Sequence, residues 1–151
     1  MYSARQIAAT REKFWISFGK YLQPVPAASG TRVTWVNYAT GLKSISFRMY
    51  FERNEAYIGI EVDCSYEGAE HSMFRKWVQL KPVLENYLGE SWHWEEAAVN
   101  LNGKQVSRIY KTLTGVDILQ EQDWPAVISF LKPRIIALDA FWFDNREFFE
   151  Y

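Results

Sequence analysis

Between Ile45 and Val62 two short runs alternate between apolar and polar residues, and the second mirrors the first. Ile45, Phe47, Met49 and Phe51 alternate with Ser46, Arg48, Tyr50 and Glu52; past Arg53 and Asn54, Ala56, Ile58, Ile60 and Val62 alternate with Tyr57, Gly59 and Glu61. A strand sends successive side chains to opposite faces, so this pattern reads as a β-hairpin. With Arg53 and Asn54 as the loop, Phe51 faces Ala56, Met49 faces Ile58, Phe47 faces Ile60 and Ile45 faces Val62. That register puts every apolar side chain on one face, and a slip of one residue undoes it. The loop is neither Asn-Gly nor Asp-Gly, so the pattern and not the turn carries the register. Phe47, Met49, Ile58 and Ile60 are expected to be buried at the centre of the fold.

What packs against that face must come from the rest of a 151-residue chain that is 48% hydrophobic, enough for one core and too short for two ordinary domains. Residues 1–151 therefore read as a single domain. Seventeen Lys and Arg against eighteen Asp and Glu give a net charge of -1. No global field attracts nucleic acid or anionic lipid. The lone cysteine, Cys64, excludes an internal disulfide; with only His71 and His93 beside it there is no zinc-ligand set, and it reads as a small apolar residue at a strand end. Met1 to Ile7 has no basic segment leading into an apolar run, and no stretch of about eighteen apolar residues occurs, so a cytoplasmic protein without a membrane span is expected.

Ser3 and Gln6 have the spacing of a capping box, and Ile7, Phe14, Trp15, Phe18, Tyr21 and Leu22 recur at helical intervals up to Pro24. Gln23 to Thr31 is a loop. Val33 to Tyr38 carries strand-forming residues and is expected to be the first strand of a meander with the hairpin, its alternation leaving either face free to be the buried one. Met73, Trp77, Leu80, Leu84 and Leu88 form one helical stripe ending at Gly89, with Pro82 inside it, so this helix either kinks near Val78 or restarts at Pro82. Asn102 and Gly103 predict a second hairpin in which Val99 faces Val106, Ala97 faces Arg108, Glu95 faces Tyr110 and Trp92 faces Leu113. Arg108 is then diagonal to Glu95, within reach of an ion pair. Asp123 before Trp124 and Pro125 reads as an N-cap, and Val127, Leu131, Ile135, Leu138 and Trp142 mark the closing helix, interrupted by Pro133. The tail from Asp144 is too short and mixed to place. The expected fold is α+β: a five-stranded, mainly antiparallel sheet, made of a three-strand meander plus a hairpin, with three helices on one face and the other face partly open.

Five segments carry a resemblance. Arg11 to Trp15, Ile58 to Glu61, Trp94 and Glu95, Val106 to Ile109, and Asp123 to Pro125 together resemble the Domain of Unknown Function 4268 family, from about Arg11 to Trp142. These motifs read as a cap, strand cores and a turn. In longer bacterial relatives such a module follows a restriction-endonuclease-like domain, so the resemblance implies an accessory role near nucleic-acid defence or repair. It brings no activity and no cofactor with it.

From the residues themselves, the first functional expectation is a non-catalytic binding or interaction module for protein or nucleic acid. Its surface is the polar face of the hairpin, where Tyr50 lies opposite Tyr57 and Arg48 is diagonal to Glu61, with Gly59 leaving open space; Arg108 and Tyr110 extend it. Surplus aromatic residues there, with Trp35 or Tyr38, favour a homodimer through the open face. The alternative is a divergent restriction-endonuclease-like nuclease, suggested by the order helix, three strands, helix, strand. That chemistry needs an acid on the second strand and an acid, any residue, then lysine on the third. Here the third strand offers Glu61, Val62, Asp63, and the second presents Arg48. Glu95 and Glu96 point to opposite faces of a regular strand and cannot act as a pair. His93 beside Glu95 is an ordinary strand pairing. No phosphate loop, nucleophile elbow or dinucleotide fingerprint is present, so no catalytic residue, metal or cofactor is expected.

Overall fold

A computed structural model describes residues 2–63 and 69–150. Cys64 lies outside them, as do the side chains of residues 69–71, so the readings of Cys64 and His71 fall beyond the described structure. In chain order the elements are α1 (Ala4–Leu22), β1 (Ile45–Phe51), β2 (Glu55–Asp63), α2 (Ala69–Gln79), α3 (Lys81–Leu88), β3 (His93–Val99), β4 (Gln105–Thr114), a short 3-10 turn (Glu121–Asp123) and α4 (Trp124–Phe149). The fold is α+β, with one open antiparallel sheet in the order β1-β2-β4-β3. No helix among the described residues is long and apolar enough to cross a membrane.

The central hairpin has the register that the alternation requires: Ile45 faces Val62, Phe47 faces Ile60, Met49 faces Ile58 and Phe51 faces Ala56. Phe47, Ile58 and Ile60 are buried, while Met49 is only half-buried. β4 adds Ile109 opposite Ile60 and Leu113 opposite Ala56, extending the apolar face. The helices cover that face. Phe14 of α1 meets Phe51 edge-on, and Trp142 of α4 meets Phe47 edge-on. The capping box forms as expected: the Gln6 backbone N–H donates to Ser3 Oγ, and the Ser3 N–H donates to Gln6 Oε1.

Four strands stand where five were expected, because Val33 to Tyr38 is not a strand. The chain there turns through Asn37 in the left-handed region, φ 62°, which an extended pairing strand cannot accommodate. Tertiary anchors override the β-propensity of these residues. Trp35 is buried, Tyr38 stacks on Phe47, and Asp139 of α4 accepts from both the Ala28 backbone N–H and the Tyr38 hydroxyl. Trp35 and Tyr38 thus belong to the helical side and not to the open face. Asp139→Ala is expected to cost about 2 kcal/mol in urea unfolding, since it removes the acceptor of two donors at a buried site. A loss below about 0.5 kcal/mol would mean that the segment is held by its rings alone.

Among the described residues four helices stand where three were expected. Pro82 occupies the first turn of α3, where its missing N–H is no loss; it restarts the helix instead of kinking it, and Leu80 sits at the break. Pro133 does the opposite. It lies on the exposed side of α4, which continues through it to Phe149, so the tail that could not be placed is the last turns of a helix. Phe149 is buried against Trp77 at 4.3 Å between ring centres. Asp123 does precede α4, but its side chain accepts from the Asp117 N–H instead of capping the helix.

Candidate functional site

The face of the sheet away from the helices carries one continuous layer of side chains. Tyr50 and Tyr57 are cross-strand partners on β1 and β2, and their rings stack nearly parallel, 4.6 Å apart and 6° between planes. Tyr57 stacks in turn on Tyr110 of β4 at 5.6 Å, and the Arg108 guanidinium lies 4.2 Å from the Tyr110 ring centre. Such cation–π contacts gain strength as water is excluded. Arg108 Nη2 also lies 3.3 Å from Glu95 Oε1, an ion pair between directly facing residues and not the diagonal one expected.

Gly59 makes this layer possible. The Tyr57 ring lies along its own strand, across Gly59, so that its hydroxyl reaches Glu61; a Cβ on Gly59 would stand 2.3 Å from that hydroxyl oxygen and 3.0 Å from Tyr110 Cβ. The open space expected beside Gly59 is therefore filled by Tyr57. Tyr57 is 1% exposed and Glu61 5%, so neither is the surface residue that the sequence suggested.

Glu61 is the polar centre. Its Oε1 forms an ion pair with Arg48 Nε at 2.9 Å and accepts from Asn100 Nδ2 at 3.2 Å, and its Oε2 accepts from the Tyr57 hydroxyl at 3.0 Å. Burial and then the Glu61 carboxylate raise the Tyr57 pKa well above its ordinary value, so the hydroxyl stays a donor. Burial and then the bond to Glu55 do the same for Tyr50. Arg48, Tyr50, Glu61, Asn100, Asn102 and Arg108 line a concavity of about 270 Å³ over this centre.

The loop that closes the concavity is not the expected two-residue turn. Asn100 Oδ1 accepts from the N–H groups of Asn102 and Lys104, the local Asx geometry that a short polar side chain favours. The loop places Val99 opposite Gln105 and Ala98 opposite Val106, and a bulge between Glu95 and Ala98, with Ala97 at φ 58°, then brings Glu95 opposite Arg108 and His93 opposite Tyr110. Asn100 and Glu95 are the contributors that sequence reasoning did not assign to the site. The signal for Asn100 was its place two residues before Asn102.

The acids of β2 are engaged: Glu61 as above, and Asp63 with Lys104 Nζ at 2.8 Å. Among the described residues no three His, Cys, Asp or Glu are grouped to hold a metal. The element order behind the nuclease comparison is also not the order found, since the strand expected at Val33 to Tyr38 is absent.

Comparison with known proteins adds one match. The family described as Domain of unknown function (DUF4268) matches residues 10–146. No curated protein and no solved structure matches. With that match spanning most of its length, the chain belongs to the DUF4268 family.

Proposed function

We propose that the chain is a non-catalytic binding module that meets a protein partner, in the simplest case a second copy of itself, through the open face of the sheet. The observation that carries this reading is the pre-ordered layer of Tyr50, Tyr57, Tyr110 and Arg108. Tyrosine and arginine dominate the energetics of protein interfaces, and rings already locked in place lose little freedom on binding. Tyr50 and Tyr110 are half-buried, leaving ring edges for a partner, while Arg48 and His93 form an exposed rim. The arginines of this face are paired with carboxylates, Arg48 with Glu61 and Arg108 with Glu95, and the chain is near neutral, which suits a protein surface better than a polyanion.

Light scattering at micromolar concentration tests the self-association form. The expected result is twice the mass of one chain, reverting to a single chain in Tyr50→Glu. Tyr50 lies on an edge strand and tolerates the change better than buried Tyr57. A mass of one chain at every concentration, unaltered in the variant, would sink the dimer.

A further inference from the structure

On the helical side of the sheet, α1 and the segment 25–36 border a second, open concavity of about 450 Å³. That is a volume typical of small-molecule sites. Part of its lining is Gly19, in the last turn of α1, where glycine still weakens a helix relative to alanine. Nothing in this chain requires a glycine there. A Cβ at Gly19 would meet no atom within 4 Å, in contrast to Gly59, and no left-handed backbone calls for it. The room that the missing side chain leaves is part of the concavity.

The rest of the lining has a definite chemistry. Trp15, Val33 and Val36 supply apolar walls, Lys20 and Arg32 supply cations, and no acidic residue lines it. Six of the eight other arginines of the chain, Arg11, Arg48, Arg53, Arg108, Arg134 and Arg146, are each matched to a carboxylate. Among the described residues Lys20 and Arg32 form no ion pair. The wall opposite α1 is also fixed in advance, by buried Trp35 and by the two bonds to Asp139. An apolar slot with two unmatched cations complements a molecule that joins an apolar body to a negative head.

We propose that this concavity binds a small apolar organic anion, its carboxylate or sulfonate head at Lys20 and Arg32 and its body over Gly19 against Trp15. The site is separate from the open sheet face and does not depend on the reading given for it. The probe is anilinonaphthalene sulfonate, titrated by fluorescence against the whole chain, with neutral phenylnaphthylamine as the same aromatic body lacking the head. Saturable binding is expected, weakened about tenfold or more in Gly19→Leu, in the double variant Lys20→Glu with Arg32→Glu, and for the neutral dye. Because the sulfonate dye also lights up loosened folds, cooperative thermal unfolding is checked for each variant. Gly19→Ala should raise the unfolding temperature. If Gly19→Leu fails to fold, the exposed charge variants decide. No binding by the wild-type chain, equal binding of the two dyes, or affinity unchanged in the folded variants would overturn the proposal.

Discussion

Gly59→Ala is expected to lose about 3 kcal/mol of stability, more than an exposed strand glycine would, because the new methyl meets a ring that has nowhere to go. Tyr57 is held between Tyr50 and Tyr110 and under Arg108, and its hydroxyl would stand 2.3 Å from the added Cβ. Rotating the ring away breaks its bond to buried Glu61, leaving one carboxylate oxygen without that donor. Glu61 keeps Arg48 and Asn100, so the lost donor at a buried carboxylate oxygen adds a smaller cost to the steric one. Urea unfolding gives the loss, and the near-ultraviolet circular dichroism of the stacked tyrosines should fall with it. The coupling is the sharper check. In a Tyr57→Leu background the same glycine substitution should cost at least about 1 kcal/mol less. Additive effects would mean that the ring and the glycine do not meet as described.

The hairpin was legible because its signal is local and redundant: each of Phe47, Met49, Ile58 and Ile60 demands the same register, and one slip breaks all of them. Family membership was legible for a similar reason, since most of its segments lie in strands and helices. What misled were one segment decided by a distant residue and several decided by local detail that composition does not carry. Val33 to Tyr38 has the composition of a strand, but Asp139, more than a hundred positions away, fixes Tyr38 in a loop. Asn102 and Gly103 read as a tight turn, yet Asn100 bonds across them and Ala97 bulges, neither of which composition reveals. Pro82 and Pro133 look alike in sequence. One falls in the first turn of a helix and the other on an exposed helical side, so only one interrupts its helix.

The shared face of the candidate residues was legible, and their depth was not. Arg48, Tyr50, Tyr57, Glu61, Arg108 and Tyr110 do lie together on one face. Alternation says which face a side chain takes; it does not say that a ring will lie along its own strand. That the polar face buries Tyr57 and Glu61 follows from Gly59, whose meaning depends on its neighbour two positions earlier. A solvated Tyr and Arg face would have looked identical in sequence.

Phe47→Ala is expected to have the largest effect, a loss of about 3 to 5 kcal/mol in urea unfolding, from lost transfer energy and from the cavity left behind. Phe47 is 4% exposed and sits where three parts of the fold converge. Its ring stacks on Tyr38 at 5.4 Å, meets Trp142 of α4 edge-on at 5.7 Å, and pairs across the hairpin with Ile60. Collapse to fill the cavity is hindered on each side. Tyr38 is tied to Asp139, Trp142 donates its indole N–H to the Thr40 carbonyl, and Ile60 belongs to a central strand. Phe47→Leu keeps most of the volume and should cost less than half as much, roughly 1 to 1.5 kcal/mol. Met49→Ala, two residues along the same face but half-buried at the sheet edge, should also cost less. A loss below about 1 kcal/mol for Phe47→Ala would mean that this ring is not where sheet, loop and helix meet.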